Sequence, residues 1–351
     1  MSDISPQSAA PTRRDQFIRG ARVLVGICVL AALLYYVDLR QFASTLMSVD
    51  PWLFGLMLLT AMVSRFLRAW KWNSLLRARD IHISIWQAVR LSLIAHFTGS
   101  WTPGQIGGDA YRVYALRGFG KTGVVVSTLL IERYAGLCAV SFFALISMPI
   151  TVPFLYRRSP WVLAIVCVAI VLVAGVIPCL FNRRIFRWAG RVVPGLRESP
   201  LAATVSRFYE TLLAYRNHEG TLVVFAIASL AEVFSYFILN WLSARALGLD
   251  ADLKFFLLAM SIVHLLLRIP ISFQAMGIQE GCFIYAMVAH GFTPAEGLAV
   301  SILQRALEWI ISIVPGGLLL LLTSGPEAEL PPPDPTNDTE PLPGNGERLI
   351  A

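Results

Sequence analysis

The apolar segment over residues 84–118 is broken by the stretch Trp101-Thr102-Pro103-Gly104-Gln105-Ile106-Gly107-Gly108-Asp109. Clusters of proline and glycine such as this one end a helix. A second apolar segment, residues 253–291, is broken in the same way between residues 269 and 281. In each break a proline is followed by glycine and then by a carboxylate, Asp109 or Glu280. The sequence predicts two re-entrant hairpins, each built from two half-helices that meet at a loop inside a membrane.

The composition is that of a membrane protein. Of the 351 residues, 56% are hydrophobic and 15% are charged, whereas a soluble domain carries about 25% charged residues. This composition argues against a soluble enzyme, a disordered protein and a disulfide-rich scaffold. A lipid-facing barrel is excluded as well, because the apolar runs are continuous and do not alternate. We predict an all-α polytopic membrane protein.

Six further apolar stretches are long enough to cross a bilayer, which takes about 20 residues. Counting the two hairpins as re-entrant places the loop over residues 182–220, with its seven arginines, on the same side as the arginine-rich N-terminus. That distribution fits the positive-inside rule and predicts that both termini are cytoplasmic. The predicted full spans are residues 21–37, 51–72, 124–148, 160–180, 222–246 and 296–322.

The predicted organisation has three parts. Residues 1–20 form a flexible cytoplasmic start, residues 21–322 form the transmembrane domain, and residues 323–351 form a disordered tail rich in proline and acidic residues. Within the loop over residues 182–220, Ser199-Pro200 is a helix start, and apolar residues then recur at helical spacing. This loop is predicted to carry an amphipathic helix at the membrane interface.

The order of span, hairpin and span occurs twice along the chain. The span after each hairpin begins with related residues, Val126-Ser127-Thr128-Leu129 and Val300-Ser301-Ile302-Leu303. In the predicted topology the first unit enters from the cytoplasm and the second from the opposite side. This pattern favours an inverted repeat with broken helices, an architecture typical of secondary transporters whose sites lie near the midplane.

Charged residues lie within or beside the apolar spans, where each costs about 2.5–3.5 kcal/mol to insert at the membrane centre. They persist if they pair with one another or line a wet cavity. Pairing predicts buried salt bridges between the two units, Glu132 with Arg305 or Glu308 with Arg133. A set this large favours a cavity, since a purely structural core needs no charges. The residues concerned are Glu132, Arg133, Glu232, Arg268, Glu280, Arg305 and Glu308.

The breaks also predict an anion site. A half-helix that starts near Gly108 or Gly277 presents unpaired backbone N–H groups and the positive end of its dipole, which can hold a phosphate. Arg112 lies one turn after Asp109, and Arg65 and Arg68 end the preceding span. The alternative for Asp109 and Glu280 is that each caps the start of its own helix.

Other kinds of site have little support in the sequence. Gly120-Lys121-Thr122 lacks the first glycine and the preceding strand of a nucleotide-binding loop. The five histidines show no metal-ligand spacing, and no serine or cysteine stands in a catalytic setting. We therefore expect no cofactor, no metal, no catalytic residue and no nucleic acid partner.

Five motifs resemble those of the lysylphosphatidylglycerol synthase transmembrane-region family, the flippase-like integral membrane proteins. The resemblance covers about residues 20–322, and Pro103 to Arg112 matches the most distinctive motif. In the second break, Gln274-Ala275-Met276-Gly277 stands where the family usually has Gly-Gly-x-Gly. The other motifs are Arg68 to Leu76, Glu132 to Leu137, Pro270 to Glu280 and Pro315-Gly316-Gly317.

The resemblance implies a transporter in a bacterial or archaeal cytoplasmic membrane that moves a phospholipid, glycolipid or polyprenyl-linked lipid between leaflets. Synthase activity is not expected, because nothing after residue 322 resembles the soluble synthase domain. Protonation of Glu132 or Glu280 would couple movement to a proton gradient. The predicted substrate-binding residues are Arg68, Gly104, Gly107, Gly108, Asp109, Arg112, Glu132, Arg133, Gln279, Glu280, Arg305 and Glu308.

Two other functions fit the same residues. One is a membrane-embedded transferase for a polyprenyl or phospholipid donor, with Asp109 or Glu280 as the base. The other is an accessory subunit that scaffolds a glycosyltransferase. The expected partners are the lipid and a lipid-modifying enzyme or glycosyltransferase, and a homo-oligomer is left open.

Overall fold

The computed structural model describes residues 39–102, 105–158, 219–267 and 277–323, together with the single residues 164, 167 and 215. All regular secondary structure in this part of the chain is helical. Several predictions lie outside the described residues. They concern the N-terminal segment over residues 1–20, the spans over residues 21–37 and 160–180, the interfacial helix, the tail, Gly104 and Arg268.

Ten α-helices are described, joined by short turns. A 3-10 turn at Arg117–Phe119 and a π-helical turn at Trp309–Ile313 complete the regular structure of this part. The helices are α1 (Leu39–Met47), α2 (Pro51–Arg77), α3 (Ile85–Ser100), α4 (Ile106–Ala115), α5 (Thr122–Arg158), α6 (Glu219–Ala246), α7 (Leu253–Leu266), α8 (Ile278–Val288), α9 (Pro294–Glu308) and α10 (Val314–Leu322).

Four stretches are long and apolar enough to cross a membrane: Pro51–Arg77, Thr122–Ser147, Gly220–Ala246 and Pro294–Leu322. They confirm four of the six predicted spans. A side-chain cap fixes the start of the first of these spans, because Asp50 accepts hydrogen bonds from the N–H groups of Trp52 and Leu53 at the start of α2. Large apolar side chains stay exposed along these helices, as expected for surfaces that face lipid. Examples are Leu59, Phe142, Ile227 and Leu321.

The broken segments form pairs of short helices, as predicted. Helices α3 and α4 have 16 and 10 residues, so they are about 24 and 15 Å long and neither spans a hydrocarbon core of about 30 Å. They run antiparallel, since Gly108 lies against Ala95 and Arg112 reaches Ser92 at 3.4 Å. Helices α7 and α8 form the second pair, with 14 and 11 residues.

The contacts between helices repeat reciprocally in the two halves of the chain. Helix α3 of the first hairpin packs on α10, the end of the second unit, and α7 of the second hairpin packs on α5, the end of the first unit. Helices α2 and α6, which open the two units, pack on each other. This reciprocity is the packing expected of the predicted repeat.

The directions of α2 and α6 are those that an inverted repeat requires. Along α2 the residues Ser64, Arg68 and Lys71 bond to Ser235, Glu232 and Ser229 of α6, so the two helices are antiparallel. An axis that exchanges two antiparallel helices runs perpendicular to them. For helices that cross a bilayer, that axis lies in the membrane plane, which is the symmetry of inverted-repeat transporters.

Gly108 allows the two helices of the first hairpin to touch. An alanine Cβ at this position would overlap the carbonyl oxygen of Ala95, which belongs to the backbone of α3 and cannot move aside alone. We expect Gly108→Ala to lower the free energy of unfolding by about 1–3 kcal/mol, as overpacking does in cores. Thermal unfolding of the purified protein in detergent measures this change.

Gly281 is the matched control, because it lies in α8 of the second hairpin and an added Cβ meets nothing within 4 Å. Gly281→Ala should leave the stability unchanged or raise it by up to about 1 kcal/mol through helix propensity. Equal melting temperatures for the Gly108→Ala variant and the native protein would contradict the packing role of Gly108.

Candidate functional site

A charged cavity of about 550 Å³ lies between the two hairpins and the long helices. Its volume falls within the range of small-molecule sites, about 300–1,000 Å³. Six cationic side chains and four carboxylates line it, and a fifth carboxylate, Glu280, pairs with the lining residue Arg305. The cations are Arg65, Arg68, Lys71, Arg112, Arg133 and Arg305, and the carboxylates are Asp109, Glu132, Glu232 and Glu308.

Two ion pairs join the first hairpin to α5. Arg112 of α4 donates to Glu132 at 2.7 Å, and its guanidinium lies 4.6 Å from the ring centre of Trp72. Arg133 donates to Asp109 at 2.8 Å. The Arg112 pair is largely buried, with 9% and 14% of the side chains exposed, while the Asp109 pair is open to the cavity, with 34% and 46% exposed.

One ion pair joins the second hairpin to α9. Glu280 is 1% exposed, and its Oε1 accepts from Arg305 Nη2 at 2.6 Å. Its Oε2 accepts from the N–H of Gly277 at 2.6 Å and so caps the start of α8. Gln279 contributes a further contact to Arg305 at 3.4 Å. This carboxylate therefore holds both the helix start and the neighbouring span.

The two specific pairs predicted between the units are wrong. Glu132 pairs with Arg112 and not with Arg305, and Arg133 pairs with Asp109 and not with Glu308. The reason is that the first hairpin packs on α5, so the nearest opposite charges to Glu132 and Arg133 lie on that hairpin. The Asp109 and Glu280 pairs correspond, with sequence separations of 24 and 25 residues between carboxylate and arginine.

The capping alternative is right for Glu280 and wrong for Asp109. Gln105 is the residue that caps α4, and its side chain makes no capping hydrogen bond. The N–H of Gly107 donates instead to Thr102 Oγ1 at 2.8 Å. The helix start is thus partly closed by a hydroxyl group, and Asp109 is left to pair with Arg133 across the cavity wall.

The α2–α6 contact holds a cluster that the sequence did not assign to the site. Glu232 accepts from both Arg68 and Lys71, each at 2.6 Å, and Arg68 also donates to the Tyr236 hydroxyl at 2.5 Å. Only Arg68 was among the predicted site residues. The spacing of Arg65, Arg68 and Lys71, three residues apart on one helix, was the available signal that these cations share a face.

A second unassigned contact involves Glu308. Its Oε1 lies 2.8 Å from His96 Nε2 and 3.3 Å from Arg65 Nη2. The two partners come from α3 and α2, 212 and 243 residues away in sequence. The π-helical turn Trp309–Ile313 begins directly after Glu308, and such turns are frequent at functional sites.

Most of the predicted site residues come together at this cavity. Gly107 and Glu280 are not among the lining residues, and Gly104 lies outside the described residues. Within the described ranges, no group of three or more histidine, cysteine or acidic side chains could hold a metal ion. The predicted site residues that line the cavity are Arg68, Gly108, Asp109, Arg112, Glu132, Arg133, Gln279, Arg305 and Glu308.

The cavity carries more positive than negative charge. Asp109, Glu132, Glu280 and Glu308 each have an arginine of their own. Arg68 and Lys71 share the single carboxylate of Glu232. The excess cation therefore lies at this cluster, where Arg68 exposes 23% of its side chain and Lys71 exposes 2%.

Comparison with known proteins gives related membrane proteins. The family model described as the lysylphosphatidylglycerol synthase TM region matches residues 21–316. The UPF0104 membrane protein PH1989 of Pyrococcus horikoshii is 24% identical over 328 residues, which is 85% of this chain and 95% of that protein. The UPF0104 membrane protein MJ1595 of Methanocaldococcus jannaschii is 21% identical over 317 residues, covering 86% and 93%. No solved structure matches.

Proposed function

The chain belongs to the lysylphosphatidylglycerol synthase transmembrane-region family, and we propose that it moves a lipid between membrane leaflets by carrying the headgroup through the charged cavity. The observation that carries this proposal is the cavity itself. It lies between two hairpins related by an inverted repeat, where transporters of that architecture bind their substrates. The acyl chains would stay in the bilayer beside the apolar outer surface.

The substrate class is a lipid with a phosphate in its headgroup. The excess positive charge at Arg68 favours an anion, and a guanidinium binds phosphate oxygens through two parallel hydrogen bonds. Arg68 already donates to Glu232 and Tyr236, so a phosphate would exchange for part of that contact. Attraction to phosphate thus competes with an internal carboxylate, which permits both binding and release.

The headgroup also carries hydroxyl or amide groups. Within the described part of the chain, three buried polar atoms on lining residues have no hydrogen-bond partner: Arg112 Nε, Asn240 Oδ1 and Ser312 Oγ. Buried polar atoms are normally paired with protein, water or ligand. A donor and an acceptor on different walls suit the hydroxyl groups of a glycerol or a sugar.

The lipid would move when the two units rock about the axis in the membrane plane that relates them. Each hairpin packs on the last helix of the other unit, so a shift of one hairpin moves the span that carries the other unit's charges. Arg133 and Asp109 are open to the cavity and can separate without exposing a buried charge to lipid. The buried ion pair of Glu280 with Arg305 would stay intact and keep α8 and α9 together.

Arg68→Gln tests the proposal. The purified protein is reconstituted in phosphatidylcholine vesicles that contain a trace of short-chain fluorescent phosphatidylglycerol, and albumin extracts the label from the outer leaflet. We expect the native protein to move the label and the variant to do so at least about tenfold more slowly, since a charged hydrogen bond contributes about 1.5–3 kcal/mol. Vesicles without protein give the background.

Arg245→Gln is the control, because Arg245 pairs with Asp250 at an exposed turn after α6. It should transport at the native rate. Equal rates for the Arg68 variant and the native protein would remove the phosphate site. A folded native protein that moves no lipid would overturn the proposal, and a new lipid product detected by mass spectrometry would favour a transferase.

A further inference from the structure

His96 and Glu308, which both line the cavity, are joined by a hydrogen bond. The atoms His96 Nε2 and Glu308 Oε1 are 2.8 Å apart. A carboxylate oxygen and a ring nitrogen at this distance need a proton between them, because both are otherwise acceptors. The side chain of His96 is 10% exposed and that of Glu308 is 40% exposed to the cavity. The pair is therefore partly shielded and still reachable by water from the cavity.

The other carboxylates of the site are engaged differently. Both oxygens of Glu280 accept short hydrogen bonds, from Gly277 N–H and Arg305, and the residue is 1% exposed. Glu132 faces Arg112, and Glu232 faces two cations. A guanidinium keeps its proton under all ordinary conditions. Asp109 faces Arg133. Among the carboxylates of the site, Glu308 is thus the one that contacts an imidazole, the side chain that takes up a proton near neutral pH.

Cations face the pair from neighbouring helices. Arg65 of α2 donates to the same Glu308 oxygen, Arg68 of α2 faces His96, and Arg305 lies one turn before Glu308 on α9. Glu232 and Glu280 balance Arg68 and Arg305. With neutral imidazole, the group of Arg65, His96 and Glu308 has no net charge, and one added proton makes it a cation.

We infer that His96 and Glu308 form the site at which the transporter takes up a proton, and that this proton travels with the headgroup phosphate. The inference rests on the proposed function. The shared hydrogen stays between Nε2 and Oε1, and the added proton occupies the second ring nitrogen, Nδ1, or the second carboxylate oxygen, Oε2. No other bond forms or breaks.

The coupling is electrostatic. The added proton makes the cavity more positive, so it strengthens binding of a phosphate, and a bound phosphate strengthens proton binding by the same factor. A lipid would therefore enter from the leaflet that faces the more acidic side and leave at the other. The π-helical turn after Glu308 gives a mechanical route, because it leads into α10, which packs on α3, the helix that carries His96.

The transport test compares vesicles at pH 7.5 on both sides with vesicles at pH 6 outside and pH 7.5 inside. The probe is the short-chain fluorescent phosphatidylglycerol in phosphatidylcholine vesicles. We expect external acid to speed inward movement by about tenfold, within the usual range of coupling between sites. His96→Gln and Glu308→Gln should lose this acceleration. His290→Gln should keep it, since His290 lies at the end of α8 against Phe255 and outside the cavity lining.

A binding test separates the two hypotheses. Glycerophosphoglycerol, a phosphodiester that does not titrate near neutral pH, is bound to the detergent-solubilised protein by calorimetry in two buffers of different ionisation enthalpy. We expect proton uptake on binding to the native protein and none to the His96→Gln and Glu308→Gln variants, with thermal unfolding as the check that they fold.

Lipid movement that ignores the pH gradient, with no proton uptake on binding, overturns the proton site and leaves the proposed function standing. Proton uptake on binding without lipid movement overturns the proposed function and supports the site. Acceleration that survives in a folded His96→Gln variant places the proton elsewhere and overturns the inference.

Discussion

Glu280→Ala should lower the free energy of unfolding by about 3–5 kcal/mol, the usual cost of removing one partner of a buried ion pair. The residue is 1% exposed, and its loss leaves the Arg305 guanidinium, 16% exposed, without its carboxylate. It also leaves the Gly277 N–H without its acceptor at the start of α8. Thermal or denaturant unfolding of the purified protein in detergent measures the difference.

Glu296→Ala is the matched control. Glu296 occupies the same position in its helix, three residues after the cap, and its carboxylate accepts from the Thr293 N–H at 2.7 Å. It should cost about 1 kcal/mol, the value of a cap alone. The difference between the two variants gives the contribution of the pair with Arg305. Equal losses would mean that this pair does not hold α8 and α9 together.

The spans and breaks were predictable because their signals are local. Continuous apolar runs gave the four described spans to within a few residues, and proline with glycine gave the break before Asp109. The structure adds that the break has a packing cause: Gly108 lets α4 lie directly on the backbone of α3. A sequence marks where glycine occurs, whereas the close approach that requires it depends on a neighbouring helix.

The choice of ion-pair partners was not predictable in the same way. Hydropathy shows that Glu132 and Arg305 are unusual in apolar spans, but it does not show which face of a helix meets which neighbour. Only the comparison of the two units gives a signal, and only for two pairs: Asp109 and Glu280 lie 24 and 25 residues before the arginines that they contact. The contact of His96 with Glu308 joins residues 212 apart and has no counterpart in any local pattern.

Arg112→Ala and Asp109→Asn should separate stability from transport. The side chain of Arg112 is 9% exposed and lies over Trp72, and its loss leaves Glu132, 14% exposed, without its cation. We expect Arg112→Ala to cost about 3 kcal/mol of unfolding free energy, the lower end of the range for breaking buried pairs. Transport in the vesicle assay should be lost with it, because the hairpin no longer holds its place on α5.

Asp109→Asn changes a pair that is open to the cavity, with 34% and 46% of its side chains exposed. Exposed pairs contribute about 0–1 kcal/mol, so the unfolding free energy should change by less than about 1 kcal/mol. Transport should still slow by about tenfold, because an amide leaves Arg133 without its counter-charge and a bound phosphate would be held more tightly and released more slowly. Measuring the free energy of unfolding and the rate of lipid movement for both variants shows whether the Asp109 pair acts in transport or in stability. If Asp109→Asn destabilises the protein as much as Arg112→Ala does, the Asp109 pair is a structural contact and the opening of this cavity wall must occur elsewhere.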